Sequence, residues 1–201
     1  MLPNDATPTV ARRACRRTET EESDRPIIDR MTTRPIGERP GMAAYGTNSP
    51  DWKALPWEWA AERLIPNKNY WVVTVSAEGA PHALPVWGVW DDDDLRFMFS
   101  CAPTARKARN IAANPHVAVT VDSTVEAISV EGTGAPITDA GRIDAWVDRY
   151  VAKYGNEVPD GGGLGDFVRS HAMFEVVPTK AIAIIEREDE FARRATRWRF
   201  P

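Results

Sequence analysis

The stretch Leu95–Val121 constrains the fold more than any other part of the chain. In LRFMFS, Leu95, Phe97 and Phe99 alternate with Arg96, Met98 and Ser100, the period of a strand with one buried face. Val117, Val119 and Val121 alternate in the same way. Between them, CAPTARKARNIAANP predicts a helix of about three turns, with Thr104 as N-cap and Asn114-Pro115 as stop. Arg106 and Lys107 fall in its first turn and Arg109 in its second. A helix N-terminus already carries partial positive charge and unpaired N–H groups, so cations there are slightly unfavourable. Two readings stand: a solvated basic face, or an anion site. In the second, a phosphate accepts from the N–H groups, the Thr104 hydroxyl and two or three cationic side chains.

A chain of 201 residues suits one domain with a tail. A net charge of -4 argues against a general nucleic-acid partner, and the local basic cluster suits one small anion better than a polyanion. No run of about 18 apolar residues is present, so no membrane span is expected. The first residues lack the apolar core of a secretory signal, and Glu19, Glu21, Glu22 and Asp24 disfavour a transit peptide. Cys15 and Cys101 are too few for a disulfide framework, which points to a reducing, cytoplasmic setting. Met1–Arg30 balances six Arg against six Asp and Glu with few large apolar residues, so it is expected to be disordered. Met31 is a candidate translational start. Thr32–Pro50, rich in Pro and Gly, reads as an extended arm. The expected division is therefore 1–50 as tail and arm and 51–201 as one ordered domain.

That domain is expected to open with a helix over Pro56–Leu64, burying Trp57, Ala60, Ala61 and Leu64. Tyr70–Ser76 and Pro81–Trp90 read as a hairpin turning at Glu78-Gly79. Pro81 and Pro85 cannot donate to a ladder and belong at an edge, a bulge or a strand start, while Gly88 admits something flat or bulky. Asp91–Asp94 lacks the spaced ligands of a calcium loop and reads as a solvated turn. Val125–Ile137 is a long strand bent at Gly132 and Gly134, and Asp139 caps a helix with an apolar stripe from Ile143 to Tyr154. GGGLG follows no strand within a βαβ unit, so it is read as a loop, mobile and near the substrate, rather than a dinucleotide fingerprint. Strands are expected at Ala172–Val177, Ala181–Glu186 and Arg194–Phe200.

His82, His116 and His171 are not at ligand spacing, and no metal site is expected. No nucleophile elbow or P-loop appears. A β-rich chain with an anion site and many aromatics suits a protein that holds a cofactor and leaves the chemistry to it.

Strand, Ser100, loop, RKARN, then NP and a Val-rich strand resembles the pyridoxamine 5′-phosphate oxidase-like family of flavin and deazaflavin proteins. GAPHALPVWGVWDDDDLRFMFS is similar to that family's hairpin beside the cofactor ring, and ATRWRFP resembles the last strand of its deazaflavin branch. The resemblance covers about Pro56 to Pro201. It implies a mainly β (α+β) split barrel, an antiparallel Greek-key barrel of about six strands with a few flanking helices, assembled as a homodimer. It implies F420 as cofactor, FMN as the alternative, and a small organic substrate. Some relatives of this type bind haem or biliverdin. By position, Ser100, Arg106, Lys107, Arg109 and Asn110 would hold the phosphate and tail. Pro85, Val86 and Trp87 would lie along the ring, with Arg197 and Trp198 approaching from the same or the partner subunit. HALPVWGVW has no Arg or Lys, unlike the enzymes that oxidise pyridoxamine phosphate. No general acid is identified. Tyr70 and His82 are candidates only.

Overall fold

The computed structural model describes residues 34–158 and 161–200. The expectations for Met1–Arg30 and for Met31 lie outside them. The strands are β1 (Gly37–Glu38), β2 (Asn69–Val75), β3 (Pro81–Asp91), β4 (Arg96–Cys101), β5 (His116–Thr120), β6 (Glu126–Pro136), β7 (Ala172–Ile185) and β8 (Thr196–Arg199). The helices are α1 (Trp57–Leu64), α2 (Arg106–Ala113), α3 (Ala140–Tyr154), α4 (Leu164–Arg169) and α5 (Phe191–Arg194).

Six antiparallel strands close a ring in the order β2-β3-β4-β7-β6-β5, with β5 returning to β2. This is the mainly β barrel with flanking helices that the family resemblance implies. Two strands change partner along their length. β3 pairs with β2 from Pro81 to Trp87 and with β4 from Gly88 to Asp91. β7 pairs with β4 over Ala172–Val176 and with β8 over Lys180–Ala183. β1 extends the sheet beyond β8. The barrel is thus split, and the first half of β3 has a free edge. Pro85 lies on that half and Pro81 begins it, which is where chain segments without a donor are tolerated.

The alternating residues fill the barrel. Tyr70, Val72, Phe97, Phe99, Val117, Val119, Val130 and Val176 are buried there, and α1 adds Trp57, Ala60, Ala61 and Leu64. Pro56 stands just before α1, as its N-cap. Gly88 has a packing reason: an added Cβ would overlap the Phe97 ring. A second core lies outside the barrel, where Trp146, Val147, Tyr150 and Tyr154 of α3 cover Val89, Met98 and Met173. That cover explains why Met98, on the polar side of the alternation, is buried. The Asp139 side chain caps α3 by accepting from Arg142 N–H at 2.8 Å, as expected.

Three local expectations are corrected. The two strands expected at Ala172–Val177 and Ala181–Glu186 form the single strand β7, because the register shift between Glu131 and Gly132 of β6 accommodates Pro178 and Thr179 as a bulge. The GGGLG segment is not an irregular loop. A short 3-10 turn leads into α4, whose Leu164 and Val168 are buried against α3. Asp91–Asp94 does form a turn, but it is only partly solvated. Asp91 is buried beside Arg149 at 3.0 Å, and Asp92 accepts from the indole N–H groups of Trp57 at 2.9 Å and Trp90 at 3.1 Å.

Candidate cofactor site

Helix α2 follows β4 and seats Ala108, Asn110 and Ile111 in the barrel. Its N-cap is Ala105, not Thr104, because a turn bonding Ala105 N–H to the Ala102 carbonyl delays the helix by a residue. No side chain caps this end. The first intrahelical bond runs from Arg109 N–H to Ala105 C=O at 3.2 Å, so the N–H groups of Arg106, Lys107 and Ala108 precede the helix's own ladder. Three unladdered N–H groups beside two cations form a donor set for an anion.

Neighbouring groups register that charge. Burial, then the cations of Arg106 and Lys107, hold His82 below its ordinary pKa. His82 is therefore neutral at pH 7, which removes it as an imidazolium acid there. Burial pushes the Cys101 thiol up, with Lys107 acting in the opposite sense. The α2 end, the close of β4 and the β3 strand around His82 thus share one electrostatic neighbourhood.

The other expected residues divide into two groups. Pro85, Val86 and Trp87 lie on the free half of β3, with Pro85 and Trp87 exposed and Val86 packed on the core. Ser100 sits half-buried near the end of β4. The rest have local roles. The Asn110 amide donates to Thr74 Oγ1 at 2.9 Å inside the barrel, and the Arg109 guanidinium bonds the Thr104 carbonyl. Arg197 pairs with Glu38 at 2.7 Å, and Trp198 is buried edge-on to Trp57 with ring centroids 5.5 Å apart. The Tyr70 hydroxyl is buried on the Leu64 carbonyl and does not reach the free edge as an acid. Sequence reading missed Lys153. It belongs to α3, yet its ammonium reaches Tyr70 Oη at 2.8 Å and the Gly88 carbonyl at 3.1 Å.

Two concavities, of about 440 and 500 Å³, lie on the outer wall around Trp71 and Ile182 and between α3 and α4. Neither includes a residue of α2, and the exposure of Thr104 and Arg106 leaves the candidate anion site as an open ledge.

The model for pyridoxamine 5′-phosphate oxidase matches residues 58–183, and the chain belongs to that family of flavin-type oxidoreductases. No curated protein matches. Among solved structures, a conserved hypothetical protein from Mycobacterium tuberculosis is 14% identical, with a TM-score of 0.56 over 75% of this chain and 88% of that one. ChuZ from Campylobacter jejuni is 12% identical, with a TM-score of 0.52 over 64% of this chain and 55% of that one. An F420 reductase is 22% identical, with a TM-score of 0.48 over 63% of this chain and 98% of that one. At these identities the likeness is one of fold. Among the described residues, no helix is long and apolar enough to cross a membrane and no cluster could hold a metal.

Proposed function

We propose that this chain is an oxidoreductase that uses the deazaflavin F420 to move a hydride to a small organic substrate, with FMN as the alternative cofactor. The observation that carries the reading is the uncapped end of α2, whose Arg106 and Lys107 act electrostatically on His82 of the free, cation-poor half of β3. The donor set fits a phosphate. The edge from Pro81 to Trp87 offers His82 and no Lys or Arg, so a second phosphate, such as that of pyridoxamine phosphate, has no cation to meet there. The cofactor, when bound, supplies the hydride chemistry. The chain binds the anion through Arg106, Lys107 and the α2 N–H groups, and orients a flat ring along Pro85–Trp87. Trp87, exposed and apolar, excludes water from that edge once a ligand covers it.

The test is titration of the protein with F420 and, separately, with FMN, followed by fluorescence. Tight F420 binding with weak FMN binding is expected. Tight FMN binding transfers the chain to the alternative. If neither binds, the oxidoreductase reading falls, and a haem titration decides for a non-catalytic binder.

The open ledge at α2 also supports a homodimer in which a second copy completes the site, in a reducing, cytoplasmic setting that suits the free Cys101. Sedimentation at micromolar concentration is expected to give a dimer. A monomer that still binds cofactor tightly would overturn this.

A further inference from the structure

Strand β3 leaves β2 and joins β4 between Trp87 and Gly88, and at that crossing its backbone bonds to side chains of α3. The Gly88 N–H donates to Tyr154 Oη at 3.0 Å, and the Gly88 carbonyl accepts from Lys153 Nζ at 3.1 Å. The Tyr154 hydroxyl lies 2.7 Å from the Gly88 carbonyl and 2.8 Å from the Lys68 carbonyl, and its single proton serves one of them at a time. Lys153 also donates to Tyr70 Oη, which donates in turn to the Leu64 carbonyl at the end of α1. The Trp87 indole lies parallel to the Tyr154 ring, with centroids 4.8 Å apart and 4° between planes. Tyr154 is fully buried, whereas Trp87 is 38% exposed. The indole is therefore backed on one face by a fixed ring and available to a ligand on the other.

The groups facing the Lys153 ammonium are Tyr70 of β2 and Tyr154 of α3, with Tyr150 behind Tyr154. Lys68, nearby, is paired with Glu157. Among the described residues no carboxylate pairs with Lys153, and burial pushes its pKa down to about 8. Burial pushes all three tyrosines up. Within this cluster, Lys153 is thus the group that changes charge just above neutral pH.

We propose that Lys153 and Tyr154 are positioning residues that hold Trp87 as the stacking face for a planar heteroaromatic ring. The identity of that ring as deazaflavin or flavin rests on the function proposed above. Aromatic pairs favour parallel, offset arrangements, so a flat ligand on the open face of Trp87 completes a three-ring stack ending on Tyr154. The ammonium ties the strand crossing to α1 and α3 together, and losing its charge loosens the base on which the indole stands.

The experiment labels the full chain with 5-fluorotryptophan and assigns the Trp87 signal with Trp87→Phe. The fluorine resonance is followed without cofactor from about pH 6.5 to about 9.5, spanning the range in which a lowered lysine titrates. In the wild type it is expected to move with a midpoint near 8, the Lys153 value. It is expected not to titrate in Lys153→Met, and to stay at its low-pH position throughout in Lys153→Arg. Tyr154→Phe, which keeps the ring and removes the hydroxyl, should shift the resonance without abolishing folding. F420 and FMN affinities, measured on the same proteins, should fall about tenfold in Lys153→Met and Tyr154→Phe for whichever cofactor binds, the loss of about one hydrogen bond's contribution. A Trp87 resonance that ignores pH in the wild type, or titrates equally in Lys153→Met, overturns the proposal. So does a cofactor affinity that all the variants retain. If neither cofactor binds the wild type but the resonance behaves as expected, the oxidoreductase reading fails and the positioning of Trp87 stands.

Discussion

The double variant Arg106→Ala, Lys107→Ala is expected to lose about two to four orders of magnitude in cofactor affinity while keeping its fold. Hydrogen bonds to charged groups contribute about 1.5–3 kcal/mol each, and both side chains stand at the uncapped end of α2. Neither is in the core: Arg106 is exposed and Lys107 half-buried. Substitutions at such surface positions usually change stability by less than about 0.5 kcal/mol. Arg109 is left intact because its guanidinium already serves the Thr104 carbonyl. Binding by the wild type should weaken as salt rises, since charges more than about 10 Å apart are screened at 0.1 M. That salt dependence should be shallower in the double variant. Calorimetric or fluorescence titration at two salt concentrations, with a melting curve as control, decides it. Affinity within about threefold of wild type would mean that the basic turn is a solvated face.

Trp57→Ala is expected to destabilise the protein by about 3–5 kcal/mol, a large fraction of the total for a domain of this kind. Trp57 joins three parts of the chain. It begins α1, stands edge-on to Trp198 at 5.5 Å and to Phe200 at 5.2 Å, and donates from its indole to Asp92 at 2.9 Å in the β3–β4 turn. Truncation would open a cavity among three elements and leave the Asp92 carboxylate with one indole donor fewer. Trp71→Ala makes the control, because that indole is 43% exposed on the outer wall. Urea unfolding should place the control within about 1 kcal/mol of wild type. A Trp57→Ala loss no larger than the control's would show that the aromatic cluster does not hold α1 to the barrel.

Much of the barrel was legible because its signals are local. The alternation in Leu95–Ser100, the α1 face of Trp57, Ala60, Ala61 and Leu64, and the Asp139 cap each lie within a few residues of sequence. What stayed hidden depends on contacts between distant segments. Pro178 reads as a strand break, and only the bulge it forms with Thr179 opposite Gly132 of β6 lets β7 run through. Met98 reads as a surface position until α3 covers it. Lys153 sits in a helical stripe as an ordinary solvated lysine, and its role depends on a strand crossing more than sixty positions earlier, at Gly88. For the site, composition located the basic turn of α2 and the apolar edge of β3. It could not tell that Asn110 turns inward to Thr74, or that Trp198 belongs to the Trp57 cluster.

The free half of β3 bears on how the protein avoids strand-to-strand aggregation. An unpaired strand edge is a template on which another chain can add a strand, the first step of many aggregates. A proline within a sheet turns its nitrogen to the open side, and alternate residues share that direction. On this edge the outward nitrogens are those of Pro81, Ala83, Pro85 and Trp87. Two of those four nitrogens carry no hydrogen, so an incoming strand meets half the donors that a regular edge would present. The same edge remains open to a ligand that approaches through a flat ring rather than a peptide backbone. Pro81 and Pro85 thus let the barrel stay split without becoming adhesive.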